Sequence, residues 1–154
     1  MILNKLPFLA LLLIGNRVCA QTVFSEKAAI VGIDHFHFST DLLGGGLAVF
    51  DYNNDGWEDI WMTGGNNRDV LYTNNGDGTF TESGFWAGLL VTANVHTKGI
   101  VSGDINNDGW RDVFLTTRHG DPNLLLLNNG DGTFINIAQY AGVGEETAWS
   151  AAAT

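Results

Sequence analysis

After residue 45 the hydrophobic positions come in short runs, each bounded by Gly, Asn and Asp. No stretch of this part repeats apolar residues at helical spacing, so the pattern predicts β-strands. Ile60, Trp61 and Met62 are apolar without alternation, as expected of a strand buried on both faces. The runs predict eight strands, at residues 47–50, 59–63, 69–73, 79–83, 100–103, 112–116, 123–127 and 133–136.

Two copies of one unit account for this pattern. GLAVFDYNNDGWEDIWMT begins at Gly46, GIVSGDINNDGWRDVFLT begins at Gly99, and both copies continue into NNGDGTF, at Asn74 and Asn128. Four strands per copy and a repeat of about 50 residues are typical of propeller blades. We therefore predict an all-β fold made of four-stranded antiparallel β-propeller blades.

The spacing of the copies also predicts the division of the chain. Phe24 to Ile33 shares the spacing of Phe80 to Leu89, which indicates the tail of a repeat. We expect residues 21–45 to contain a strand that completes another blade, followed by a lead-in to the first repeat. Residues 46–98 and 99–148 should form two blades, and residues 149–154 should begin a truncated third. Because a ring closes with about four to eight blades, we expect a propeller fragment whose partners include the remaining blades.

Residues 1–20 have the features of a signal peptide. A cation at Lys5 precedes an apolar run at 6–14 that is too short to span a bilayer. Small residues favour cleavage after Ala20, which would remove Cys19, the only cysteine; acylation at Cys19 is the less favoured alternative. We expect a secreted, periplasmic or cell-surface protein with no transmembrane segment in the mature chain.

The charge balance restricts the class of partner. The chain has 17 acidic and 7 basic residues, and its formal net charge is −10. Such a field repels polyanions and attracts divalent cations. Nucleic acid is therefore not expected as a partner.

An acidic loop follows the first strand of each copy and fits the pattern DxNxDGxxD. Positions 1, 3, 5 and 9 offer side-chain oxygens, position 7 offers a backbone carbonyl, and the glycine at position 6 permits a sharp bend. Oxygen ligands in this number favour Ca²⁺ over zinc or copper. The two expected sites consist of Asp51, Asn53, Asp55, Trp57 (carbonyl) and Asp59, and of Asp104, Asn106, Asp108, Trp110 (carbonyl) and Asp112.

These loops have two alternatives to a calcium site. An EF-hand needs a glutamate at position 12 and flanking helices, but Met62 and Leu115 occupy that position. The Asp and Asn side chains could instead form Asx-turns without a metal. Two copies in the same register favour metal binding, because several carboxylates in one short loop repel one another.

The remaining candidates favour structural roles. Asp77 and Asp131 each stand alone in a glycine-rich turn, so we interpret them as turn residues. His35 and His37 could lie on one strand face, but a zinc site would need a third ligand, so packing or hydrogen bonding is preferred. The same interpretation applies to His96 and His119. Gly44–Gly46 precede a strand and are interpreted as a flexible lead-in, and no motif of a catalytic site is present.

The blocks GGGLAVFDYNNDGWEDI and NNGDGTF, with the following AGL or AGV, resemble FG-GAP or VCBS repeats. The similarity is greatest to the branch related to cartilage acidic protein and the ASPIC/UnbV-type proteins. The resemblance implies an integrin-α-like propeller with calcium-binding loops, and it supports the same ligand residues. Position 3 is Asn where the family often has Asp, which lowers the ligand charge.

Two functions follow as hypotheses. The first is an exported, calcium-binding, non-catalytic module that binds an extracellular protein or glycan, as in cell adhesion. The alternative is a scaffold part of a propeller enzyme, lyase-like or dehydratase-like, whose active site lies in missing blades.

Overall fold

The computed structural model describes residues 25–39 and 44–144, whose named strands form two four-stranded antiparallel sheets. The prediction of an all-β chain with four strands per copy is confirmed, although most strand ends differ from the predicted ones and β5 begins at Thr97 instead of residue 100. A short 3₁₀ helix, Leu89–Thr92, lies between the sheets in sequence. The first sheet consists of β1 (Leu47–Phe50), β2 (Asp59–Met62), β3 (Val70–Asn74) and β4 (Phe80–Glu82), and the second of β5 (Thr97–Gly103), β6 (Asp112–Thr117), β7 (Leu124–Asn128) and β8 (Phe134–Asn136).

Each sheet is a meander, so its connections alternate between two edges, which are the two sides of the sheet where the strands end. The β1–β2 loop and the β3–β4 turn lie at one edge, as do the β5–β6 loop and the β7–β8 turn. Trp57 and Gly76 show how close these connections are, because a Cβ added at Gly76 would lie 2.9 Å from Trp57 Nε1. Trp110 and Gly130 repeat the contact, at 3.0 Å. We call this edge the acidic edge, defined by the acidic loops 51–59 and 104–112.

The hydrophobic core lies between the two sheets. Phe134 of β8 contacts Trp61 of the first sheet edge-on, with ring centroids 5.2 Å apart, and stacks on Tyr52 at 6.1 Å. The buried cluster draws on both sheets, so each copy of the repeat covers the apolar face of the other. Its members are Phe50, Tyr52, Trp61, Leu71, Ala87, Leu89, Val113, Leu115, Leu124, Leu126 and Phe134.

Gly45 and Gly46 are required by close packing, so the interpretation of Gly44–Gly46 as a flexible lead-in is wrong for these two, whereas a Cβ added at Gly44 would have no neighbour within 4 Å. A Cβ added at Gly46 would lie 2.5 Å from the Lys98 carbonyl oxygen, and the Gly46 N–H donates to Thr63 Oγ1 at 2.7 Å. A Cβ at Gly45 would lie 2.5 Å from His37 Nδ1. Without a side chain at Gly46, β1 can approach β5 directly.

Residues 25–39 pack along the first sheet. The Phe80 N–H donates to the Val31 carbonyl at 2.7 Å, and the Phe134 N–H makes the equivalent bond to Ala87 at 2.9 Å. Gly32 and Gly88 both have positive φ, 89° and 88°. The segment around Gly32 thus lies against the first sheet as the segment around Gly88 lies against the second.

Several predicted features fall on residues that the structure does not describe. The predicted signal peptide, Phe24 and residues 149–154 lie outside the described residues. The domain boundaries stay predictions. In the part of the chain that the structure covers, no helix is long and apolar enough to cross a membrane.

Candidate metal centre

The two acidic loops adopt the same backbone conformation. Position 4 is a left-handed asparagine in both, with φ 54° at Asn54 and 61° at Asn107. Position 6 is a left-handed glycine in both, with φ 89° at Gly56 and at Gly109. Asn and Gly are the residues that adopt this conformation most readily, so the sequence NDG in each copy fits the curled loop.

Side chains at positions 1, 3 and 5 of the first loop fold over the loop's own N–H groups. The Asp51 carboxylate accepts from the Asp55 and Gly56 N–H groups at 3.2 and 2.8 Å. Asn53 Oδ1 accepts from the same Asp55 N–H at 3.1 Å, and Asp55 Oδ1 accepts from the Trp57 N–H at 2.8 Å. These side-chain oxygens therefore satisfy N–H groups of the loop itself.

The second loop repeats these hydrogen bonds. Asp104 accepts from the Asp108 and Gly109 N–H groups at 3.1 and 2.9 Å. Asn106 Oδ1 accepts from the Asp108 N–H at 3.1 Å, and Asp108 Oδ1 accepts from the Trp110 N–H at 2.8 Å. Each distance agrees with its counterpart within 0.1 Å. The loop geometry is thus a property of the repeated sequence.

The carboxylate at position 9 is buried and joins two turns of the acidic edge. Asp59 is 0% exposed; its oxygens accept from the Tyr52 N–H at 3.1 Å and from the Asn74 N–H at 2.8 Å. Asp112 is 1% exposed and accepts from the Ile105 and Asn128 N–H groups at 3.0 and 2.8 Å. In each copy, this residue holds the acidic loop against the end of the third strand.

The electrostatics of the loops follow from these contacts. Burial raises the pKa of Asp59 to about 6; the charges of Asp55 and Asp51 add to the rise, and the hydrogen bonds from Asn74 and Tyr52 oppose it. In the second loop, the N–H of Gly109 is the main cause that holds the pKa of Asp104 below its usual value. The first loop therefore contains a buried carboxylate whose charge is costly, and the second contains an exposed carboxylate whose charge is stabilised.

The donor atoms of each loop are of the kind that a hard cation prefers, but the side chains must move closer together to hold one. All candidate donors are oxygens, and a carboxylate oxygen that accepts one N–H keeps a further lone pair. Within residues 25–39 and 44–144, no three His, Cys, Asp or Glu side chains are gathered closely enough to hold a metal as they stand. Asn53 Nδ2 donates to Asp55 Oδ2 at 2.8 Å, so this oxygen must turn from the amide to reach a cation.

The sequence analysis missed the residues that connect the loops to the rest of the fold. Asn128 Nδ2 donates to the carbonyl of Tyr52 in the first loop at 2.8 Å and to that of Arg111 at 3.2 Å. Its counterpart Asn74 donates to the Glu58 carbonyl at 3.1 Å. The signal available in the sequence was the asparagine that begins NNGDGTF in both copies, to which the sequence analysis assigns no role.

Asp77 and Asp131 have the turn role predicted for them. Asp77 Oδ1 accepts from the N–H and the hydroxyl of Thr79 at 2.9 and 2.6 Å, and Asp131 accepts from Thr133 at 3.0 and 2.6 Å. These bonds hold the pKa of both carboxyls below the usual value. Both residues stabilise hairpin turns at the acidic edge.

The histidines lie at the opposite edge of the sheets. His37 Nδ1 is 2.9 Å from the Thr63 carbonyl oxygen at the end of β2. His96 Nδ1 is 2.6 Å from Asp121 Oδ2 in the β6–β7 loop, and the rings of His96 and His119 are 4.8 Å apart. The spacing of His96 and His119 in the sequence does not reveal this pairing.

Repeated four-stranded meanders that cover each other's apolar faces define a protein built from blade-like repeats. The FG-GAP-like repeat matches residues 51–115 and 104–154, and the chain belongs to this family. Cartilage acidic protein 1 of Xenopus tropicalis is 30% identical over 110 residues, which are 71% of this chain and 16% of that protein. The chain thus spans only a small part of this relative's length.

Proposed function

We propose that this chain forms calcium-stabilised blades of an extracellular, non-catalytic binding propeller. The observation that carries the proposal is the duplicated acidic loop. Two loops of the same oxygen-rich composition share one backbone conformation and one hydrogen-bond pattern, and both lie at the same edge. The candidate ligands are those of the sequence analysis, with Asp51 and Asp104 at position 1 and Asp59 and Asp112 at position 9.

Charge provides the physical reason for a cation. Each loop carries three candidate ligand carboxylates, to which the first loop adds Glu58 and the second adds the cation Arg111; no lysine or arginine side chain is among the hydrogen-bond partners described above for the ligand carboxylates. A divalent ion would offset two of the three ligand carboxylate charges and would stabilise the folded state by mass action. The chemistry that calcium would supply here is structural, since it would attract the loop's oxygens to one centre. Affinities typical of extracellular calcium modules are about 10⁻⁴ to 10⁻³ M.

Calorimetric titration of the chain with Ca²⁺ tests this proposal. We expect two sites in the unchanged chain and one site in either Asp55→Ala or Asp108→Ala. Asp77→Ala is the matched control, because it removes an exposed aspartate of the same edge that belongs to a hairpin turn; it should keep two sites. Unchanged stoichiometry in Asp55→Ala would contradict the ligand assignment.

Thermal unfolding gives a second measure of the same proposal. At a calcium concentration about 100 times the dissociation constant, each site adds about 2.7 kcal/mol to the free energy of unfolding. Calcium should therefore raise the melting temperature of the unchanged chain, and the rise should be smaller in Asp55→Ala. A melting temperature that is the same in calcium and in chelator would contradict the proposal.

The extracellular location and the binding role extend the proposal. Membership of the FG-GAP-like family and similarity to cartilage acidic protein 1 support a non-catalytic extracellular module. The signal peptide at residues 1–20 would direct export, and N-terminal sequencing of the exported protein should find Gln21 first. Ca²⁺-dependent binding of an extracellular protein or glycan, lost in Asp55→Ala, would support the binding role.

A further inference from the structure

We propose that the two acidic loops bind calcium as a coupled pair, and that Asn128 and Asn54 carry the coupling between them. This inference rests on the proposed calcium sites and adds a property that neither loop has alone. Occupation of the second loop would raise the affinity of the first, and the reverse would hold equally because coupling between binding sites is reciprocal.

The first connection joins the two position-9 carboxylates through buried groups. Asp59 accepts from the N–H of Tyr52, and the carbonyl of Tyr52 accepts from Asn128 Nδ2. The N–H of Asn128 donates to Asp112. Two residues thus link the innermost carboxylate of one loop to that of the other, across 76 positions of sequence.

Burial makes this connection firm. Asn128 is 2% exposed and Tyr52 is 7% exposed. A buried carbonyl that loses its donor is costly, so Tyr52 and Asn128 are expected to move together. The Tyr52 ring also stacks on Phe134 of the second sheet, which ties the first loop to the second sheet by packing as well.

The second connection joins the loops directly at the surface. Asn54 Nδ2 donates to the carbonyl of Gly109 at 3.2 Å. Asn54 is position 4 of the first loop, and Gly109 lies directly after a candidate ligand of the second loop, Asp108. A change in the curl of one loop therefore changes a contact of the other.

The sign of the coupling follows from ordering. A cation in the second loop would fix Asp112 and Asn128, and these would hold Tyr52 and Asp59 in place before the first loop binds its own ion. The first loop would then lose less conformational freedom on binding, which raises its affinity. Repulsion between the two ions opposes this effect, but in about 1 M KCl the Debye length is about 3 Å and the exposed loops are largely screened.

The test measures the affinity of the first loop with and without the second site. Amide resonances of Gly56 and Gly109 in the ¹⁵N-labelled chain report each loop separately during titration with Ca²⁺ in about 1 M KCl. We expect Asp108→Ala to weaken calcium binding at Gly56 by about fivefold or more. The coupling factor is the ratio of the affinity at Gly56 without Asp108→Ala to the affinity with it. Asn54→Gly or Asn128→Ala should reduce this coupling factor, and the two together should bring it close to one.

Matched variants separate coupling from damage to the fold. Asn107→Gly replaces the other left-handed asparagine, and Asn74→Ala replaces the counterpart of Asn128; both should leave the factor unchanged. Asn54 is exposed and glycine tolerates its positive φ, so Asn54→Gly keeps the test valid if Asn128→Ala does not fold. If Asp108→Ala leaves the affinity at Gly56 unchanged, the proposed coupling is wrong but the calcium site is still supported. If the amides of neither Gly56 nor Gly109 respond to Ca²⁺, both the proposed function and the proposed coupling are wrong.

Discussion

Replacing Phe134 by alanine tests whether the two sheets stabilise each other. The ring is 7% exposed and contacts Trp61 and Tyr52 of the first sheet. Truncating a buried phenylalanine costs about 3–5 kcal/mol, of which the two aromatic pairs supply about 0.5–1.5 kcal/mol each. Because whole domains are stable by about 5–15 kcal/mol, Phe134→Ala should remove a large fraction of the stability.

Urea unfolding followed by circular dichroism, in chelator, measures this loss without a contribution from calcium. Phe80→Ala is the matched control, since Phe80 begins β4 as Phe134 begins β8 but is only half-buried; it should cost less than half as much. Phe134→Leu should give an intermediate loss and remains measurable if the alanine variant unfolds. Equal losses for Phe134→Ala and Phe80→Ala would refute a core shared between the sheets.

Two further predictions concern the contact between β1 and β5 and the contact between His96 and Asp121. Gly46→Ala should lower the free energy of unfolding by about 1–3 kcal/mol, because its Cβ would meet the backbone of Lys98, whereas Gly103→Ala has no neighbour within 4 Å and should be tolerated; equal melting temperatures would contradict this reasoning. Partial burial acts to raise the pKa of Asp121, but hydrogen bonds and charge from His96 outweigh it and hold the pKa below the usual value. The resulting stability is therefore present above the unfolded-state pKa of about 3.9 and is lost as pH falls through the folded-state pKa. Asp121→Asn should destabilise the chain by no more than about 1 kcal/mol at pH 7 and less at pH 2, as measured by thermal unfolding.

The order of strands was predictable from the sequence, because it depends on local patterns that the repeat shows twice. Runs such as Ile60–Met62 and the turns between them predict which strands are present and in what order, although most strand ends differ from the predicted ones. The early start of β5 was not predictable in this way. Thr97 and Lys98 are buried by contacts with residues distant in sequence, such as the bond from Thr97 Oγ1 to Asp69 and that from Lys98 Nζ to Ser39.

The candidate site was predictable as a set of residues but not as an arrangement. Comparing the copies identifies what they share, so it finds the loops at Asp51 and Asp104. It does not show which residue of one copy meets the other, and for this reason the sequence analysis assigns no role to Asn128. Tyr52 and Ile105 occupy the same position of the repeat, yet Tyr52 is 7% exposed and Ile105 is 55% exposed, because the second sheet covers the first loop alone.

The carboxylates at position 9 explain how one loop can serve both the fold and the proposed cation. Asp59 accepts N–H groups from two different turns, so the folded chain holds it in place independently of the other ligands. A cation that shares this carboxylate meets a donor whose position is already fixed, and less ordering is needed on binding. Burial makes the charge of Asp59 costly, and a bound divalent ion would offset that cost. The fold would therefore position the ligand, and calcium in turn would make its burial favourable.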